Sequence, residues 1–265
     1  MLIGEQTPLS QARDITVTFP GPSRGVMGRR EKLTALNRVT MHVNRGDSLA
    51  IVGESGSGKS TLVRALLGLQ RVDSGEVTYD GRRVTGRGRE RWLRSRTGIV
   101  FQDPYSSFSP RLTIGESVAE PLEALEIDCD RSGRVTEVLS LLGLPADAAS
   151  RYPSAFSGGQ RQRIAIARGL IHRPDLLIGD EPVSALDVLV RQSILRQLAT
   201  LRRELGLTMI NVTHDLSIVP DIADHVLVLQ AGKVVETGTV EAIFGNPQDP
   251  YTQSLIRAIP RLEER

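Results

Sequence analysis

The chain has 265 residues, 33 basic against 31 acidic, with 40% hydrophobic and 24% charged side chains, which is a globular composition long enough to bury a core. A net charge of +2 gives no case for a nucleic-acid partner, and the single cysteine, Cys129, excludes an intrachain disulfide framework or a cysteine-rich metal site. Neither a secretory leader nor an apolar run of membrane-spanning length is read in the sequence, so a soluble protein of a reducing compartment is expected.

In chain order, residues 15–19 read as a strand by their β-branched content, closed by Pro20-Gly21-Pro22. Residues 21–32 read as a loop. Strands follow at 39–43 and 48–52, joined by the turn Asn44-Arg45-Gly46-Asp47, and together these predict a small β-layer beside the main core. Across 59–69, Leu62, Val63, Leu66 and Leu67 recur at helical spacing. A short strand and turn is expected at 75–81 and a strand at 99–101. Residues 103–173 carry helical patterns and few strand signals, which predicts a helical subdomain. Buried strands at 176–178 and 209–212 flank a helix at 188–205, and 226–229 with 234–236 form a hairpin. Strand-length apolar runs alternating with helical stretches predict an α/β fold with a mainly parallel sheet.

The strongest chemical signal is Gly53-Glu54-Ser55-Gly56-Ser57-Gly58-Lys59-Ser60, followed by Thr61. It fits G-x-x-x-x-G-K-[ST] between an apolar strand and a helix start, the P-loop arrangement. Glycines let successive backbone N–H groups turn inward around a phosphate, and the helix N-terminus adds its positive end. Lys59 supplies a point charge for β- and γ-phosphates, and the Ser60 hydroxyl suits Mg²⁺. Only Lys32, Lys59 and Lys233 are lysines among the 33 basic residues, which makes a lysine in this loop less a matter of chance. At Leu176-Leu177-Ile178-Gly179-Asp180-Glu181 an apolar strand ends in carboxylates. There Asp180 can hold Mg²⁺ directly or through water, and Glu181 can orient or deprotonate an attacking water. Gly179 inside a strand marks a close approach of backbone. Phe156-Ser157-Gly158-Gly159-Gln160 opens the next anion cradle at a helix start.

With these motifs in this order, the chain resembles the ATPase subunit of an ABC transporter, whose signature is Leu-Ser-Gly-Gly-Gln. Phe156 is the one departure, and it spares Ser157, Gly158, Gly159 and Gln160. The resemblance covers residues 15–241 and implies a P-loop NTPase (RecA-like) core with an N-terminal antiparallel β-layer and a helical subdomain. It also implies ATP and Mg²⁺ as cofactors, with Ser60, Gln102 and Asp180 around the metal. Gln102 matches the Q-loop glutamine, Ser184-Ala185-Leu186-Asp187 the D-loop, and His214 the switch histidine near the γ-phosphate. Phe19 is the best match to the aromatic that stacks on adenine. His42, His172 and His225 stand in no motif and read as surface or capping residues, and Cys129 as a residue without a role. Family members pair head to tail, the P-loop of one facing the signature of the other.

Residues 101–111, residues 180–188 and the tail Asn246-Pro247-Gln248-Asp249-Pro250-Tyr251-Thr252 resemble the oligopeptide/dipeptide/nickel importer ATPases. The resemblance implies multi-span permease subunits, a second ATPase chain or a second copy, and indirectly an extracytoplasmic solute-binding protein. The place is the cytoplasmic face of the cell membrane, peripherally bound. No iron–sulfur cluster is expected, because the tail carries no cysteines. The organisation expected is an ABC ATP-binding domain at 1–245, with the helical subdomain at 103–173 inserted, and a C-terminal tail at 246–265. A soluble ABC ATPase without a membrane partner is the competing class, disfavoured by a single P-loop and no sustained heptads. An exporter ATPase shares the hydrolytic motifs but not the Q-loop segment and tail.

Overall fold

The computed structural model describes residues 7–21, 32–86, 90–101, 108–183 and 186–259. The chain divides into two units, one of residues 1–90 with 212–265 and one of residues 91–211. The first unit begins β1 (Ser10–Pro20), β2 (Lys32–Val43), β3 (Ser48–Val52), α1 (Lys59–Leu66), β4 (Ser74–Tyr79) and β5 (Arg82–Val84). The second runs α2 (Arg91–Arg94), β6 (Thr97–Val100), α3 (Ile114–Ala124), α4 (Arg131–Leu141), α5 (Gly158–Leu170), β7 (Leu176–Asp180) and α6 (Val188–Leu205). Strand β8 (Thr208–Thr213) leads back to the first unit. There the chain continues as α7 (Val219–Ile222), β9 (His225–Gln230), β10 (Lys233–Thr239), α8 (Val240–Gly245) and α9 (Pro250–Arg257).

In the first unit, β2-β1-β4-β5 form an antiparallel sheet. Val39, Met41 and Val43 of β2 point inward at period 2, as a half-buried strand requires. Strand β1 runs well past the expected 15–19. Gln11, Arg13 and Asp14 hide its period, and a register shift between Ala12 and Ile15 breaks the alternation at Asp14, whose φ is 48°. A second set of strands joins β3 to β9 in parallel, Leu49 opposite His225, and β9 to β10 as the expected antiparallel hairpin. Every residue of β3 is buried, as in a strand covered on both faces. Ala50, Val52, Val219, Val226, Val228 and Ile243 form the core here, with Tyr251, Leu255 and Ile256 of α9 packed against it.

In the second unit, β6 and β7 pair in parallel, Thr97 opposite Leu176. The helices between them start on side-chain caps. Thr113 and Glu116 form a capping box on α3, and Asp130 caps α4. Helix α6 ends at Gly206 in the left-handed conformation, whose N–H bonds Arg202 O. Arg168 on α5 stacks over Phe108 with its guanidinium carbon 4.9 Å from the ring centre. His172, expected at the surface, is instead largely withdrawn from solvent. Its Nε2 lies 3.0 Å from Thr97 O, while its buried Nδ1 has no hydrogen-bond partner among the described residues.

Candidate functional site

The described residues singled out in the sequence are shared between the two units. In the first unit, β3 delivers the chain into loop 53–58 and α1 leaves it. Two glycines have steric reasons for being glycine. A Cβ on Gly53 (φ 146°) would stand 2.1 Å from Leu229 O, and one on Gly58 (φ 107°) 2.6 Å from Ala35 O. Backbone of β9 and β2 therefore presses the loop from below, and no other residue fits. Lys59 is only 8% exposed, and its Nζ donates to Gly53 O (2.6 Å) and Glu54 O (2.8 Å). The ammonium is thus held inside the loop by the loop's own carbonyls, preorganised for an anion rather than swinging in solvent. Glu54, Ser55 and Gly56 crest the loop on its open side, with nothing within 4 Å of a Cβ built on Gly56. Ser57 is buried, and its Oγ has no partner among the described residues. Ser60 is exposed at the start of α1, with Thr61 half-buried beside it.

Phe19 is half-buried on β1 opposite Leu33, which is 64% exposed, so the two share a face as an apolar surface pair. His214 is exposed just after β8. The turn that carries it is fixed by Asp215 N–H donating to Thr213 Oγ1 (3.0 Å) and Ser217 N–H to Asp215 Oδ1 (3.0 Å).

In the second unit, Asp180 ends β7 half-buried and Glu181 follows in the left-handed region at φ 52°. That conformation is uncommon for a side chain with a Cβ, and such strain concentrates at functional positions. Gly179 is tight, but against side chains rather than backbone: a Cβ there would meet Pro182 Cγ at 2.8 Å and Asn211 Oδ1 at 3.2 Å. Ser157 caps α5 and forms a reciprocal box with Gln160: Gln160 N–H donates to Ser157 Oγ (3.3 Å), and Ser157 N–H to Gln160 Oε1 (3.0 Å). Gly158 and Gly159 are the first two residues of that helix. Phe156, where the family has Leu, is 4% exposed and simply joins the core. Asp187 caps α6, accepting Val190 N–H at 3.0 Å. A Cβ on Gly159 would lie 2.4 Å from Val190 Cγ1, so the starts of α5 and α6 abut. Gln102, Ser184 and Ala185 lie outside the described residues.

One contact was not anticipated. Tyr251 Oη accepts the N–H of Glu54 at 3.0 Å across 197 residues of sequence. The tail carrying Tyr251 stood out in the sequence, but a link to the loop leaves no periodic or spacing signal at such a separation.

Residues 36–184 match the ABC transporter family, and residues 235–265 match the oligopeptide/dipeptide transporter C-terminal region. The chain is 44% identical to the dipeptide transport ATP-binding protein DppF of Haemophilus influenzae, over 98% of this chain and 80% of that protein. It is also 44% identical to the oligopeptide transport ATP-binding protein OppF of Salmonella typhimurium, over 86% of this chain and 70% of that one. Among solved structures, cbiO1 of Clostridium perfringens, part of the ABC transporter complex cbiONQ, aligns with a TM-score of 0.77 at 29% identity, covering 90% of this chain and 91% of that one. MJ0796, a bacterial ABC transporter cassette solved as a dimer, aligns with a TM-score of 0.75 at 30% identity, covering 87% and 98%. With the loop, the strand-end carboxylates and the capped signature in place, the chain belongs to the ABC transporter ATP-binding proteins, in the family that carries the oligopeptide/dipeptide C-terminal region, and is an ATPase coupled to transport.

Proposed function

We propose that this chain powers an importer of peptides, or of a related solute such as nickel, from the cytoplasmic face of the membrane. It works as one half of a head-to-tail pair with ATP between the P-loop of one cassette and the signature of the other. The observation that supports this reading is that one chain carries two helix starts suited to an anion, one in each unit. One is loop 53–60 with Lys59 held inside it; the other is the Ser157-Gly158-Gly159 start of α5. Each helix start can hold an anion, and the head-to-tail pairing that the family resemblance implies gives both of them a nucleotide. Val188 and Leu189, 65% and 80% exposed beside Asp187, supply apolar surface for such a joint. The names of the relatives support peptide import, and the C-terminal region supports the same branch. Among the described residues no helix is long and apolar enough to cross a membrane, so permease subunits would supply the pore. Residues 1–245 form the ATP-binding domain in this reading, with 246–265 as its tail.

Lys59 meets the β- and γ-phosphates, Phe19 and Leu33 cover the base, and Ser157 and Gly159 approach the γ-phosphate of the partner's nucleotide. By resemblance to the family, the hydroxyl of Ser60, exposed at the start of α1, the carboxylate of Asp180, half-buried at the end of β7, and the Gln102 amide would hold the cation, all through oxygen. That hard set fits Mg²⁺, which needs only one or two protein ligands beside the phosphates. When bound, Mg²⁺ neutralises charge that develops on the transferred phosphoryl group. Glu181 takes the proton of the attacking water, and His214 contacts the γ-phosphate side. A tagged pull-down from detergent-solubilised membranes tests the importer reading. Two multi-span proteins and a second ATPase are expected; recovery of soluble partners only, with the chain absent from membranes, overturns it.

A further inference from the structure

Glu54 is gripped on both of its backbone groups. Its carbonyl accepts Lys59 Nζ at 2.8 Å, and its N–H donates to Tyr251 Oη at 3.0 Å. The first bond helps fix the ammonium inside the loop; the second ties that same residue to α9. Helix α9 is itself held at its entry. Glu236 on β10 accepts Gln248 N–H (2.8 Å) and Asp249 N–H (3.1 Å), Asp249 then caps α9 by accepting Tyr251 N–H (2.8 Å), and Gln253 Nε2 donates to Pro247 O (3.0 Å). The apolar side of α9, with Tyr251, Leu255 and Ile256, packs on the core that contains Ala50 and Val52 of β3, the strand that leads into the loop. A tyrosine on a surface helix ordinarily turns its hydroxyl to water. Here the ring is anchored beside β3 and the hydroxyl is spent on the crest of the loop.

We propose that the C-terminal arm is a strut for the P-loop, in which Tyr251 positions Lys59 for the nucleotide phosphates by holding Glu54 between them. The proposal rests on the reading that loop 53–60 cradles the nucleotide. Tyr251 touches no reacting atom in it and is a positioning residue. Losing the hydroxyl leaves the ring packing intact but frees the Glu54 peptide, so Lys59 would be less well placed in both the bound and the reacting complex. Uniform weakening of this kind raises KM with little change in kcat.

The test uses the full chain and a fluorescent ATP analogue, MANT-ATP. Tyr251→Phe is expected to raise the Kd for MANT-ATP and the KM for ATP about fivefold, the effect of one ordinary hydrogen bond. Its kcat should stay within about twofold, and the melting temperature of the nucleotide-free chain should not move. Releasing the arm by Glu236→Ala is expected to weaken MANT-ATP binding in the same direction with Tyr251 intact. A wild-type Kd and KM in Tyr251→Phe overturns the strut, whether or not that variant melts lower, and so does a fall in kcat with KM unchanged. Lys59→Ala separates the two readings: if it binds MANT-ATP like wild type, the P-loop reading itself fails, whereas lost binding there beside a wild-type Tyr251→Phe removes the strut alone.

Discussion

Glu181 sits at φ 52° where β7 ends, and Gly159 has Val190 Cγ1 within 2.4 Å of where a Cβ would go. Each makes a prediction at the scale of one side chain. Glu181→Gln keeps the size but replaces the carboxylate with a hydrogen-bonding amide that cannot take a proton. Turnover should fall by about two to four orders of magnitude, the usual worth of a general base, while MANT-ATP still binds; a single-turnover assay checks both. For Gly159→Ala the clash falls on a helical valine, whose χ1 has one strongly preferred setting. A loss of about 1–3 kcal/mol in denaturant unfolding is expected, the ordinary cost of overpacking. The pair Gly159→Ala with Val190→Ala should recover most of it. Unchanged stability in Gly159→Ala would instead place the need for glycine in the phosphate contact rather than in the packing of α5 on α6. In the sequence Gly159 belongs to the Ser-Gly-Gly helix start that resembles the family signature; its steric partner is visible only with α5 and α6 in place.

At the level of elements, caps and strand ends set where the chemistry sits. Asp187 matches the family's D-loop, and it is also the N-cap of α6. Asp187→Ala should therefore cost about 1 kcal/mol of stability even in the isolated chain, while Asp187→Ser, which can still cap, should cost little; thermal melts distinguish them. Helix α6, expected at about 188–205, spans Val188–Leu205, and its cap and its terminal Gly206 agree with those bounds. Strand β1 was readable only in its apolar half, since a bulge at Asp14 interrupts the alternation that a reader of sequence relies on. His172 was misjudged for a related reason: nothing local marks a histidine whose ring is covered by distant segments. Burial lowers its pKa, more than the Thr97 carbonyl raises it, and Arg134 lowers it further. The unfolded chain then binds the additional proton first, so His172 favours the folded state above the ordinary histidine range and that contribution is lost as pH falls through it. Melting temperature should drop between about pH 7.5 and pH 5.5, and His172→Gln, which keeps an amide donor for Thr97 O, should flatten that slope.

For the whole molecule, the proposed nucleotide machinery is divided by the chain path. P-loop and His214 belong to the unit of residues 1–90 and 212–265, and the carboxylates, signature and Asp187 belong to the unit of residues 91–211. Each unit completes its own parts locally, which is why the motifs could be read as separate runs. In the proposed pair, pairing responds to nucleotide. The Glu181→Gln chain with ATP and Mg²⁺ should shift toward dimer in light scattering, with itself or with a co-expressed partner ATPase. Leu189→Asp, at a position 80% exposed in the single chain, should abolish that shift without changing the melting temperature; a dimer that survives it would remove this surface from the joint.

The sequence by itself determined the family, through motifs legible as short runs. A phosphate loop, a strand ending in carboxylates and a capped Ser-Gly-Gly helix start are each contiguous, because each depends on backbone geometry over a few residues, and contiguous physics leaves a contiguous record. Tertiary structure decided what lies across from them. The backbone of Leu229 and Ala35 makes Gly53 and Gly58 obligatory, the side chain of Val190 crowds Gly159, and Tyr251 reaches the loop from 197 residues away. Such relations are set by how elements stack around a core, a non-local condition that no spacing within one element encodes.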